Sequence, residues 1–211
     1  MQLYFSPLSC SLATRICLYE ANAEATYTEV GPKTKLTRDG QNYREVYSLG
    51  LVPAVRTEDG ELLTENAAIL QYVARRYPEA NLAPADERGL TRLQQWLCFV
   101  GTELHKALFA PLLDPKAPEG AKAYALEKGQ SRLAFLEKHL TGREFLLDRF
   151  SVADAYLFTV LHWSMAAPVD LKQWPALASY FSRLRERPTI AKALKEEKVL
   201  YAEELAKHKA A

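Results

Sequence analysis

The spacing of apolar residues changes character once along this chain, from short mixed segments to long helical ones. Gln2–Phe5 reads as a short strand, which Ser6 and Pro7 break. Leu12, Ile16 and Tyr19 then recur at helical spacing, which predicts a helix over residues 12–21. Residues 26–30 read as a second strand, completing a βαβ unit of the kind that is almost always right-handed and parallel. Residues 31–40 are polar and irregular, and a short helix is predicted over residues 42–47. Two further strands, 54–57 and 61–64, flank Glu58-Asp59-Gly60, a hairpin turn signal. A helix over residues 66–77 turns Ile69, Leu70 and Val73 inward and stops at Pro78. This order predicts a mixed four-stranded sheet with helices packed on it.

Residues 79–87 read as a linker, after which the pattern is wholly helical. Leu90, Leu93, Leu97, Val100, Leu104 and Leu108 predict one long helix that ends near Pro111. Residues 114–118 form a loop, and residues 124–140 a second amphipathic helix. Ser151 caps a third, with Asp154 placed to reach back to the cap N–H. The body of that helix, residues 155–161, is apolar nearly all round and should form the core of its domain. Helices over Pro175–Arg185 and residues 189–195 complete the pattern. The predicted organisation is an α/β domain over residues 1–78, a linker over 79–87 and an all-α domain over 88–211.

Composition narrows the partners. The chain has 211 residues, 48% hydrophobic and 25% charged, enough for a sizeable core. A net charge of +1 gives no reason to expect nucleic acid or an anionic membrane surface. No apolar run approaches the roughly 20 residues of a membrane span, and no charged-then-apolar leader opens the sequence. Cys10 and Cys17 lie seven positions apart on one predicted helix, a rise of about 10.5 Å that excludes a disulfide. Reduced thiols point to a cytoplasmic setting. His105, His139, His162 and His208 are scattered, none at ligand spacing from another His or Cys, so no metal is expected.

Cys10 is the first candidate for chemistry. It sits at or just before a helix N-terminus, where unpaired N–H groups and roughly half a unit of positive charge favour a thiolate. Such settings lower a cysteine pKa from about 8.5 to between about 3.5 and 7.5. The competing reading is a small buried hydrophobe. Pro53, just before the third strand, marks a strand start or an edge. A cis Val52-Pro53 bond there exposes the Val52 backbone N–H and C=O, which suit an extended peptide. Thr64-Glu65-Asn66 opens a helix whose N–H groups suit a carboxylate, while the Glu65 side chain suits an ammonium. One end of an amino acid carries both groups; simple N-capping is the competing reading. Lys35 offers a cation to a second carboxylate. Cys98, Thr102 and His105 share one helical edge, as a cleft wall would.

Taken in order and at this spacing, these features resemble the glutathione transferases. Ser9-Cys10-Ser11-Leu12-Ala13, Thr102-Glu103-Leu104-His105-Lys106 and Ser151-Val152-Ala153-Asp154-Ala155-Tyr156-Leu157-Phe158 are similar to the bacterial beta class, and the resemblance covers essentially the whole chain. It implies a thioredoxin-like N-terminal domain, an all-α C-terminal domain and a site for glutathione, γ-Glu-Cys-Gly, as co-substrate. In it, Val52 and Pro53 meet the cysteinyl backbone, Glu65 and Asn66 the γ-glutamyl end, and Lys35 the glycine carboxylate. Cys10 faces the thiol. Ser11 and His105 are implied donors to the thiolate that attacks an apolar electrophile. His105 and Lys106 line the cleft, Cys98 stands where relatives carry Asn, and Thr102 and Glu103 approach the glutathione of the partner in a homodimer. Phe109, Tyr156 and Trp163 are candidates for the electrophile pocket, with core packing as the competing role. A glutathione-dependent isomerase or dehalogenase, and a non-enzymatic ligand-binding or regulatory protein, are the rival readings on the same fold.

Overall fold

The computed structural model describes the backbone of residues 1–210 and the side chains of residues 1–206. Its sheet has four strands: β1 (Gln2–Phe5), β2 (Thr26–Glu29), β3 (Ala54–Arg56) and β4 (Leu62–Leu63), in the order β2-β1-β3-β4. β1 pairs in parallel with β2 and antiparallel with β3, with Leu3 opposite both Tyr27 and Val55. β3 and β4 form the predicted hairpin, and Gly60 supplies the left-handed turn residue at φ 89°. Leu3, Tyr4 and Phe5 are all buried, as a central strand covered on both faces requires.

Helix α1 (Ser11–Glu20) buries every residue from Ser11 to Leu18. It packs against α2 (Asn66–Arg76) and against the last helix, α8 (Pro188–Ala210). Arg15 is the unusual member of this buried face, 4% exposed, with its guanidinium over the rings of Phe5 and Tyr27. Two carboxylates of α8 face it: Glu196 at 3.4 Å and the fully buried Glu197 at 3.2 Å. This contact explains a difference from the predicted boundaries. By its contacts the chain divides into Met1–Ala80 together with the segment from Pro188 onward, and Asn81–Arg187. The closing helix, expected in the second domain and only over residues 189–195, runs from Pro188 to Ala210 and packs on the sheet unit.

The second unit is helical: α3 (Glu87–Phe99), a π-helical segment (Val100–Phe109), α4 (Ala110–Leu113), α5 (Glu119–Leu140), α6 (Val152–His162) and α7 (Pro175–Arg185). The predicted single helix through Leu108 is therefore α-helical only to Phe99. Val100, Leu104 and Leu108 are buried at intervals of four, an apolar spacing that suits an ordinary α-helix and carries no mark of the wider π turn. Pro111, expected near the end of that helix, lies in the first turn of α4, which continues the π-helical segment without a break. The predicted helix over residues 42–47 is a single 3-10 turn, Tyr43–Glu45, capped by Asn42.

Helix α6 is buried at all eleven positions, as its all-round apolar sequence requires. Its capping box is formed: Ser151 and Asp154 satisfy each other's backbone N–H groups. The Asp154 carboxylate, itself fully buried, also accepts from Leu146 N–H at 2.9 Å and Tyr180 O–H at 2.8 Å.

Candidate active site

Cys10 occupies the N-cap position of α1 and makes no side-chain cap bond. Its thiol donates instead to the Val52 carbonyl, at 3.2 Å. The Val52-Pro53 bond is cis, the geometry expected if the strand-3 turn is to approach the first helix. Asn66, the first residue of α2, closes the other side: its Nδ2 donates to the Cys10 carbonyl at 3.0 Å, and its Oδ1 accepts from Thr14 Oγ1 at 3.2 Å. The side chain of Asn66 is thus committed within the protein, and what it presents outward is backbone N–H at a helix start. Lys35 joins from the irregular loop, where its methylenes lie over Gly50, two residues before Val52.

Backbone conformation marks the same place. Among the described residues, five non-glycine positions have positive φ, and two of them are asparagines, which tolerate it. The other three are Leu8 (φ 59°), Lys35 (φ 58°) and Glu65 (φ 63°). Leu8 lies two residues before Cys10, Glu65 directly precedes the Asn66 that bonds the Cys10 carbonyl, and Lys35 lies over Gly50, two residues before Val52. Such conformations cost of order 1–3 kcal/mol each and persist where the surroundings hold them. Glu65 is at the N-cap of α2 without a side-chain cap bond, which removes N-capping as the reason for its carboxylate. Its side chain is exposed. Partial burial and the neighbouring Arg44 guanidinium both push the Lys35 ammonium below its ordinary pKa.

Ser11 departs from expectation. It is fully buried, and its hydroxyl donates to Ser6 O, accepts from Ser6 N–H and shares a 2.7 Å bond with Ser9 Oγ. These contacts make it a brace for the turn that carries Cys10 and leave no hydroxyl proton for a ligand's sulfur. The turn has a second brace that the sequence reading did not single out. Leu8 N–H donates to Glu197 Oε2 at 2.6 Å, so α8 reaches the loop through the same carboxylate that faces Arg15. Burial pushes the Glu197 carboxyl up to about 7, against the pull of Arg15. The only sequence signal was an arginine on an apolar helix face.

In the helical unit, His105 lies in the π-helical segment, half-buried. Its Nδ1 is 2.8 Å from the Tyr156 hydroxyl, and its ring stands edge-to-face with Trp163 at 4.8 Å. Burial, with Lys106 adjacent, holds the imidazole down at about 4, so the ring is neutral at pH 7. Thr102 is exposed and donates to the Cys98 carbonyl at 2.9 Å, and Glu103 accepts from Arg132 of α5 at 2.7 Å. Cys98 is exposed. Of the pocket candidates, Phe109 and Tyr156 are buried, whereas Trp163 is only partly so. Among the described residues no group of three or more His, Cys, Asp or Glu could hold a metal ion; His208 lies outside the residues whose side chains are described. No described helix is long and apolar enough to cross a membrane. A cavity of about 570 Å³ in this unit, lined by Arg92, Trp96, Phe135 and His139 among others, contains none of the predicted site residues.

Comparison with known proteins decides what this arrangement belongs to. Residues 9–76 match the glutathione S-transferase N-terminal domain, and residues 66–188 the glutathione S-transferase C-terminal domain. The chain belongs to the glutathione S-transferase family. It is 37% identical over 199 residues to glutathione S-transferase GstA of Escherichia coli, which covers 93% of this chain and 98% of the relative. A sphingomonad glutathione S-transferase solved with glutathione is 40% identical, with a TM-score of 0.89 over 94% of this chain and 99% of that one. The bacterial beta class glutathione S-transferase of Sphingomonas chungbukensis is 39% identical, with a TM-score of 0.88 over 93% and 98% of the two chains. The predicted fold, a thioredoxin-like sheet domain with a helical C-terminal domain, is the glutathione S-transferase fold, and the chain is a glutathione transferase.

Proposed function

We propose that this transferase conjugates the thiol of glutathione to apolar electrophiles, that residues 1–78 bind the tripeptide, and that the helical unit, Asn81–Arg187, supplies the electrophile side. The observation that carries the reading is the Cys10 thiol set against the Val52 carbonyl, with the Asn66 amide bonded to the Cys10 carbonyl beside it. The groups gathered there match the tripeptide by chemistry. Val52 offers backbone to an extended cysteinyl residue. Glu65 is a free carboxylate for the γ-glutamyl ammonium, and the N-terminus of α2 takes the adjoining carboxylate. Lys35 is a cation for the glycine carboxylate. The N-terminus of α1 favours the thiolate, whose proton passes to solvent. The sulfur's electron pair then forms the bond to an electrophilic carbon as the leaving group departs with its own.

Cys10 adds a second activity of the same site. Its thiolate attacks the disulfide of a glutathione adduct, forming a mixed disulfide and releasing the other thiol, and a second glutathione resolves it. His105 is read as a hydrogen-bond donor to the bound sulfur. The working form is a cytoplasmic homodimer, with Thr102 and Glu103 next to the partner's glutathione.

Calorimetric titration of glutathione into wild type and Glu65→Ala tests the reading. One saturable site per chain is expected, weakened about 10- to 100-fold by the substitution, because a charge-assisted contact is worth about 1.5–3 kcal/mol. Absence of binding at millimolar glutathione sinks it.

A further inference from the structure

The reading of His105 as a donor leaves one requirement unmet: a neutral imidazole carries a single proton, and only one of its two tautomers can donate from Nε2. The helical unit contains the group that decides between them. The Tyr156 hydroxyl lies 2.8 Å from His105 Nδ1. Tyr156 projects from α6, the helix buried at every position, and is itself 3% exposed. Its ring stands nearly perpendicular to the imidazole at 89°, and Trp163 holds the imidazole from another side at 72°. His105, by contrast, belongs to the π-helical segment, a local departure from α geometry of a kind that recurs at functional sites. A rigid phenol thus meets an imidazole whose backbone is locally rewound.

A phenol, with an ordinary pKa of about 10, is a far better proton donor than the N–H of a neutral imidazole. In a bond between the two, the O–H therefore donates and Nδ1 accepts. The imidazole proton is then on Nε2, the nitrogen that faces away from Tyr156. The ring is also kept neutral at pH 7 by its burial and by Lys106. The Tyr156 hydroxyl thus leaves His105 with one defined donor instead of a mixture of tautomers.

We propose that Tyr156 is a positioning residue: its hydroxyl fixes His105 as the Nε2–H tautomer, so that the imidazole is a ready hydrogen-bond donor to substrate. The second half of this statement rests on the proposed role of His105, and the first half stands without it. Tyr156 touches no reacting atom in this account. It acts through the ring it orients, as an outer carboxylate or carbonyl orients a histidine elsewhere.

The experiment is long-range nitrogen–proton NMR on uniformly labelled wild type, Tyr156→Phe and His105→Gln, paired with the kinetics of glutathione conjugation. In wild type, the His105 signals should show a protonated Nε2 and an unprotonated Nδ1 at pH 7. In Tyr156→Phe the ring should become a tautomer mixture. The maximal rate should fall about 3- to 10-fold with little change in KM for glutathione, and the substitution should have no further effect in the His105→Gln background. A wild-type ring protonated on Nδ1, or a Tyr156→Phe ring with an unchanged tautomer, overturns the proposal whatever the rates. A changed tautomer with unchanged rates in both single variants overturns the donor role of His105. Glutathione binding measured on the same samples separates either result from failure of the transferase reading itself. The wild-type spectrum decides the tautomer even if Tyr156→Phe is poorly folded.

Discussion

Cys10 is placed like a cap but bonded like a contact. Its thiol proton goes to the Val52 carbonyl, so the sulfur is poised beside the backbone that the tripeptide would use. Conjugation requires only that the N-terminus of α1 and its neighbours stabilise the sulfur of glutathione; a mixed disulfide requires the sulfur of Cys10 itself. Cys10→Ala is therefore expected to keep conjugation within about 3-fold and to abolish the glutathione adduct that intact-protein mass spectrometry detects after incubation with oxidised glutathione. Loss of conjugation to the same degree as loss of the adduct would assign the sulfur to both reactions. At this scale the sequence singles out candidates by residue type and context and is silent about how each is used. Cys10 and Glu65 stood out that way, whereas Lys35 by itself reads as a solvated lysine. That Asn66 turns its amide back onto Cys10 depends on a contact across 56 residues, and that Ser11 braces a turn and Glu65 sits at φ 63° depends on side-chain and backbone geometry that residue type does not record.

Elements were legible where one local rule governs them. The apolar run of α6 and its Ser151–Asp154 box are such a case, because the cap needs partners only three positions apart. What the pattern could not reveal is that the same carboxylate also accepts from Leu146 and from Tyr180 of α7, which makes it a junction as well as a cap. Burial pushes Asp154 up from its ordinary pKa while these donors oppose the shift. Asp154→Ala strands four buried donor groups, the Ser151 N–H and hydroxyl, the Leu146 N–H and the Tyr180 hydroxyl, in an apolar interior. The expected cost is about 3–5 kcal/mol, read as a lower midpoint in urea denaturation. A loss below about 1 kcal/mol would mean that neighbouring groups re-pair. Asp154→Asn, which keeps one acceptor, should lose less. The π-helical segment was not legible because its buried residues, four apart, read as an ordinary α-helix.

Across the whole molecule the order of elements predicted the two layers, but the last helix was assigned by its place in the chain. Its true partner is α1, through Arg15 and the two carboxylates of α8. That pairing gives the protein a distinctive response to pH. Glu197 has a folded pKa of about 7 against an ordinary 4.5, so the native state holds its proton more tightly. Its contribution to stability is present in full below pH 4.5 and is lost as pH rises through 7. His105 has the reverse sign. Its folded pKa of about 4 lies below the ordinary 6.5, so its contribution is present above pH 6.5 and is lost as pH falls through 4. Each shift corresponds to roughly 3 kcal/mol at full extent, and over the shared interval the two slopes oppose. Single substitutions should expose them one at a time. Relative to wild type, Glu197→Gln should make stability rise more steeply between pH 4.5 and 7, and His105→Gln should make it fall. Urea melts across that range, followed by circular dichroism, provide the test. Tryptophan fluorescence adds a second reading, because Trp96, Trp163 and Trp174 all lie in the unit that contains His105. If Glu197→Gln shifts the fluorescence transition as far as the dichroism one, the two units unfold together; if it shifts dichroism alone, the sheet unit with α8 unfolds as a separate body. Parallel slopes in wild type and both variants would show that neither buried group changes its protonation on folding.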